Sequence, residues 1–218
     1  MKTTGTNAYS RGEEIANSVT HGLGLILSVA GLCVLVTVAG LRGDAWTVTG
    51  CAVFGASLVL LYGASTCYHA LPAPRWKPIL RVFDHAAIFL LIAGSYTPFL
   101  LVSLRGPWGW SLFGVVWAIA VAGIVLKVFY TGRFRLLSTI LYLLMGWIVL
   151  IAIKPLVEAL PRSSLILLFA GGAAYSAGTL FYMWKRLPYH HAVWHLFVLG
   201  GSVCHFFAVF SGVVPRGV

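Results

Sequence analysis

Four histidines, His190, His191, His195 and His205, fall in the stretch HHAVWHLFVLGGSVCHFF, whose remaining residues are apolar or small. The segment HAVWH sets His191 and His195 four residues apart, which on a helix stacks both imidazoles on one face about 6 Å apart. That spacing suits two ligands on one metal ion. Zinc in a catalytic site takes three protein ligands and keeps a position open for water, and neutral imidazole is a favoured ligand. His69, at the end of an apolar run, is the third candidate. Asp84, a lone carboxylate at the start of another run, is suited to hold the water as a hydrogen-bonding partner or general base. Ser65 precedes His69 by four residues, so its hydroxyl lies on the same face one turn deeper.

Each of these residues also has a plainer reading. An isolated HxxxH pair can be two solvated histidines at a membrane surface, and a helical serine in a membrane often bonds only its own backbone. His190 is expected in a loop, and His85 points about 100° away from Asp84 on a helix. Both are left out of the ligand set. His205 lies ten residues beyond His195, about 15 Å deeper at 1.5 Å per residue, too far for the same ion. It reads as a buried hydrogen-bonding histidine or a separate polar lining residue. In EEIANSVTHG, Glu13, Asn17 and His21 recur at i, i+4 and i+8, which is either a helix cap and anchor with acids at the positive helix end or a polar wall of the same site.

What must position these residues follows from composition. Of 218 residues, 60% are hydrophobic and only 9% charged, more apolar surface than a soluble core of this size can hide. The chain is expected to be an integral membrane protein. Its net charge of +10 comes from Lys and Arg scattered singly between apolar runs, the pattern of topology-setting loops rather than a nucleic-acid surface. Cys33, Cys51, Cys67 and Cys204 show no CxxC spacing and imply neither a disulfide framework nor a cysteine zinc site. Residues 1–18 are polar and contain no signal-type apolar segment, so the first span is expected to direct insertion.

A stretch of about 20 apolar residues crosses the hydrocarbon, and seven are present: Val19 to Leu41, Trp46 to Tyr68, Asp84 to Leu104, Trp108 to Phe129, Leu136 to Ile153, Ser164 to Met183 and His191 to Val213. The alternation of an outer-membrane barrel is missing. The fold class is therefore all-α, a seven-transmembrane helix bundle. Short loops such as LRGDAW and LRGPWG make neighbours antiparallel, and the chain forms a single domain over 1–218. The small residues of AGGAAYSAG favour close helix packing.

Positive residues set orientation. Lys2, Arg11, Arg75, Lys77, Arg81, Lys127, Arg133, Arg135, Lys185 and Arg186 gather on the amino-terminal side, against Arg42, Arg105, Lys154, Arg162 and Arg216 on the other. This asymmetry argues for a cytoplasmic amino terminus and an external carboxy terminus. His21, His69, Asp84, His85, His191 and His195 then all sit at cytoplasmic helix ends. Intramembrane ionisable groups are costly and commonly face one another or an ion, so one shared site is the economical explanation.

The segments EEIANSVTHG, STCYH at 65–69, DHAAIFLLIAGSYTP at 84–98 and HAVWHLFVLGGSVCHF at 191–206 resemble, in this order, those of the haemolysin III family, the bacterial branch of the progestin and adipoQ receptor proteins. The resemblance implies a seven-helix fold with its amino terminus inside and a zinc ion near the cytoplasmic leaflet. The ligands would be His69, His191 and His195, with Asp84 holding the zinc-bound water and Ser65 beside it. Through its likeness to alkaline ceramidases the family also suggests zinc-dependent hydrolysis of a lipid amide and a role in membrane lipid homeostasis. Two other readings stand beside this one: a regulator or receptor-like protein of the membrane with structural zinc, and a pore-forming cytolysin. In all three the partners are membrane lipids, with no nucleic acid.

Overall fold

The computed structural model describes residues 9–215. Seven helices are long and apolar enough to cross a membrane, and no strand is present among the described residues. Lys2 and Arg216, counted above for orientation, lie outside the described residues.

Helix α1 (Arg11–Arg42) begins eight residues before the apolar run that announced it. Ser10 Oγ accepts from Glu13 N while Glu13 Oε2 accepts from Ser10 N at 2.8 Å. This capping box starts the helix where the chain is still polar. Helix α2 (Ala45–Ala70) follows a two-residue connection and is capped by Asp44, which accepts from both the amide and the hydroxyl of Thr47. A cap of this type stabilises a helix by about 1 kcal/mol, and these bonds hold the Asp44 carboxyl below its usual range. Helix α3 (Lys77–Pro98) also starts early, with Pro78 in its first turn, where a missing N–H costs nothing. Asp84 and His85 therefore lie two turns inside α3, not at its opening as the apolar run suggested. His21 likewise lies ten residues inside α1.

Two spans are irregular. After Pro98, α3 widens into a π turn over Phe99–Ser103, closed by Leu104 N on Phe99 O at 2.8 Å. Helix α4 (Pro107–Tyr130) is regular. The fifth span is broken: α5 (Arg135–Gly146) gives way to a 3-10 turn (Ile148–Ala152) and then to the short helix α6 (Ile153–Ala159). Freed backbone groups cannot find water in hydrocarbon, so such a break survives only where protein satisfies it. Tyr96 of α3 does this. Its hydroxyl lies 3.0 Å from Met145 O and 2.6 Å from Gly146 O, and accepts from Val149 N at 3.1 Å.

Helix α7 (Arg162–Met183) and helix α8 (His190–Gly212) complete the bundle. His190 was expected in a loop. Instead it is the first residue of α8 and buried, because Tyr189 takes the left-handed conformation (φ 55°) and turns the chain directly into the helix. Contacts are extensive between α1 and α2, α2 and α3, and α7 and α8, while α1 also packs on α8. The span containing α5 touches its neighbours most sparsely. Between it, α3, α7 and α8 lies a cavity of about 140 Å³, lined mainly by Leu, Ile and aromatic side chains.

Removing the Tyr96 hydroxyl takes the side-chain partner from Gly146 O and Val149 N at once. Tyr96→Phe is expected to cost about 1–3 kcal/mol, read as a lowered Tm in detergent. Tyr130→Phe, at an exposed ring that makes no side-chain hydrogen bond, is expected to leave Tm in place.

Candidate metal centre

At the amino-terminal end of the bundle, His69 closes α2, and His191 and His195 occupy the first two turns of α8. All three are buried, and each offers a ligand nitrogen within 4.8 Å of the others. Ring centroids are 4.5 Å apart for His191 and His195, 5.1 Å for His69 and His191, and 5.3 Å for His69 and His195. The i, i+4 pair and the cross-helix partner read from the sequence thus come together.

A histidine that binds metal through one nitrogen normally donates its other N–H to an acceptor, which fixes its tautomer and ring orientation. His69 Nδ1 lies 2.5 Å from Glu14 Oε2, and His195 Nδ1 lies 3.2 Å from Asn17 O. Both acceptors belong to α1. Glu14 Oε1 in turn accepts from Lys77 Nζ at 3.0 Å, and Lys77 also donates to Tyr68 O. One carboxylate thereby ties α1 to α2 and α3. With Nδ1 donating, Nε2 of His69 faces the cluster, buried and without a partner.

The unpartnered atoms are informative because each buried, unsatisfied polar atom costs about 1–3 kcal/mol. Among the described residues such atoms occur on Asn17, His21, Ser65, His69, His190, His191 and His205. All but His205 surround the three-histidine cluster. Three buried imidazoles, two of them with rings fixed by α1, form a donor set that fits a divalent metal such as zinc. Ser65 departs from its plain reading. Ser28, Ser57 and Thr66 return their hydroxyls to their own helix backbone, whereas Ser65 Oγ makes no hydrogen bond and is buried.

Asp84 lines the same cavity as His191 and His195, with Oδ2 3.6 Å from His85 Nδ1. His85 Nδ1 also lies 2.8 Å from Arg81 O. Neither His85 nor Asp84 is among the grouped ligands, and despite the expected angular offset both line the cavity. The polar stripe of α1 is divided. Asn17 and His21 face the cluster, but Glu13 stays at the helix start, where it caps Ser10 and accepts from Tyr189 N at 3.2 Å. His21 stacks face to face on His195, ring centroids 3.4 Å apart and planes 13° apart, and sits edge-on to Tyr62. His205 hydrogen-bonds Leu168 O through Nε2 and lines the far part of the cavity, combining both roles expected of it. Nearby, Tyr62 and Tyr175 share the hydroxyl of Ser202 at 2.8 and 2.9 Å.

Sequence reasoning passed over Glu14 and Tyr9. Glu14, Asn17 and His21 stand at i, i+3 and i+7, one helical face, and that spacing is the signal that selects Glu14 over Glu13. Tyr9 stacks on His191 at 5.1 Å and lies within 6.0 Å of His69 and His190, covering the cluster. Burial pushes its phenol well above the usual range. No sequence pattern marked it, because it precedes every span.

These features define a class: a multi-pass, seven-helix membrane protein with a buried three-histidine cluster at one end of an apolar cavity. Residues 9–206 match the family model described as haemolysin-III related. The chain belongs to the haemolysin III family. It is 51% identical over 197 residues to the hemolysin-3 homolog of Bacillus subtilis (strain 168), covering 90% of this chain and 92% of that protein. It is 49% identical over 203 residues to hemolysin-3 of Bacillus cereus, covering 93% of each chain. The human monocyte to macrophage differentiation factor is 27% identical over 208 residues, covering 91% of this chain and 84% of that protein.

Metal analysis of the purified protein checks the cluster. About one zinc per chain is expected in the wild type and in His205→Ala, and a sharp loss in His69→Ala, His191→Ala or His195→Ala. Glu14→Ala is expected to keep the ligands but weaken metal affinity about 10–100-fold. Metal retained equally in all variants would overturn the assignment.

Proposed function

We propose that this protein is a zinc-dependent hydrolase of a membrane lipid amide, with a role in membrane lipid homeostasis. The observation that carries this reading is the juxtaposition of three grouped histidines and Asp84 at one end of a cavity lined mainly by apolar and aromatic side chains. A catalytic zinc keeps three protein ligands and an open position, and the cluster supplies three. His69, His191 and His195 would hold the ion, which lowers the pKa of a water to about 7 and polarises a carbonyl.

The chain's own residues do the rest. Asp84 takes a proton from the attacking water and returns it to the leaving nitrogen, general acid–base work that typically contributes about 10²–10⁴ in rate. The unpartnered hydroxyl of Ser65 donates to the carbonyl oxygen of the scissile amide. Glu14 and the carbonyl of Asn17 keep the His69 and His195 rings fixed as charge develops. The cavity, running past Leu91, Ile92 and Phe99 towards Leu156, accepts an acyl chain, and Tyr9 keeps bulk water from the cluster. With the amino terminus cytoplasmic, as the positive charges argue, the site works at the inner leaflet.

The test is release of free fatty acid from a panel of N-acyl lipids by the zinc-loaded protein in mixed micelles. Turnover is expected for the wild type, with Asp84→Asn about 10²–10⁴-fold slower at unchanged zinc content. Ser65→Ala is expected to show a smaller loss. Zinc lost from Asp84→Asn would make Asp84 a fourth ligand and the metal structural; no turnover of any N-acyl lipid would reject the hydrolase reading.

A further inference from the structure

The proposed reaction uses the histidines and Asp84 but leaves a group of cations at the same end of the cavity without a role. Lys127 stands in the last turn of α4 and is only 2% exposed. Its Nζ donates to Ser138 Oγ at 2.5 Å and sits 5.8 Å over the ring of Tyr142. A neutral hydroxyl does not balance an ammonium, and buried charges are ordinarily paired. Tyr142 lines the cavity and donates to His85 O at 3.0 Å, which places its ring beside Asp84 and His85.

A second cavity-lining ring, Tyr182, carries two more cations: Lys185 Nζ is 4.9 Å and Arg135 Cζ 5.4 Å from its centroid. Arg81 reaches the turn between α4 and α5, where a Cβ at Gly132 would lie 3.2 Å from its Nη1. Partial desolvation, with Arg135 and Arg81 alongside, pulls Lys185 down to about 8, so these cations crowd one another. Among the described residues none of Arg81, Lys127, Arg135 and Lys185 has a carboxylate within ion-pair distance. Loop charges that only set topology stand in solvent, as Arg75, Arg133 and Arg186 do. The buried Lys127 and the half-buried Arg135 instead stand against the cavity's tyrosines, and the exposed Lys185 reaches back onto the ring of Tyr182.

We infer that Arg81, Lys127, Arg135 and Lys185, arranged about Tyr142 and Tyr182, form a binding site for a phosphate group, so that the lipid whose chain fills the cavity is a phosphate-bearing one. Four cations exceed what a carboxylate needs, and the planar fork of arginine matches phosphate oxygens in pairs. The phosphate would neutralise Lys127, the one fully buried Lys or Arg among the described residues. The inference rests on the cavity being an acyl slot, and it names the headgroup of the lipid proposed above.

Binding is measured apart from turnover. The full-length protein in phosphatidylcholine nanodiscs is titrated with dioctanoyl phosphatidic acid and retained lipid is counted by native mass spectrometry, with inorganic phosphate as competitor. One phosphatidic acid per chain is expected. Lys127→Gln and Arg135→Gln should each weaken binding roughly tenfold or more, while Arg133→Gln leaves it unchanged. Arg135 is half-buried at the helix start, so its variant informs even where Lys127→Gln fails to fold. His69→Ala should retain the lipid while losing metal, so failure of the hydrolase reading and failure of this one are separable. Competition by millimolar inorganic phosphate would assign the site to a free anion, and resistance to it assigns the site to the lipid headgroup. Equal phosphatidic acid binding by wild type and both variants, or no binding to any of them, would overturn the proposal.

Discussion

A bilayer offers a polar group no water, and the arrangement of α1 against α2 and α8 follows from that constraint. Two of the three clustered imidazoles are anchored by α1, His69 by the Glu14 carboxylate and His195 by the Asn17 carbonyl. Without these acceptors the rings would be free to turn and their buried N–H groups would go unpaired. With them, each ring is held with its remaining nitrogen towards its neighbours. The nitrogens left over have no partner among the described residues, and apart from the one on His205 the orphaned atoms collect at this end of the bundle.

The same constraint explains the break in the fifth span. Continuous helix would have satisfied its own backbone but closed the space beside α3. The interruption after Gly146 opens that space, and Tyr96 repairs the backbone it exposes. Gly146, Trp147 and Val149 around the break line the cavity, in keeping with the rule that irregular backbone at membrane depth occurs where it is buried or borders a cavity. The cavity and the irregular helix are one feature.

Much of this was legible in the residues. Hydropathy located all seven spans, because a 20-residue apolar run has few other uses, and the HxxxH spacing with His69 identified the grouped histidines. Where helices begin was less legible: α1 and α3 start well before their apolar runs, since the capping box at Ser10 and the proline at 78 act through local hydrogen bonding and sterics rather than hydropathy. The same blindness hid Glu14, since adjacent acids at 13 and 14 differ only by 100° of helical rotation. The inward turn of Lys127 was equally hidden, since nothing local separates a lysine that snorkels to water from one that faces a tyrosine.

Residues 9–18 contribute almost nothing to crossing the membrane, yet they include the cap that begins α1, the ring that lies on His191, and the carboxylate and carbonyl that aim two imidazoles. A stretch that hydropathy would set aside as a tail is the scaffold of the polar centre. Tolerance to substitution along it should therefore follow the rotation of the helix rather than any scale of hydrophobicity: permissive where α1 is exposed at Ile15, and exacting at Glu14 and Asn17 one step round the turn.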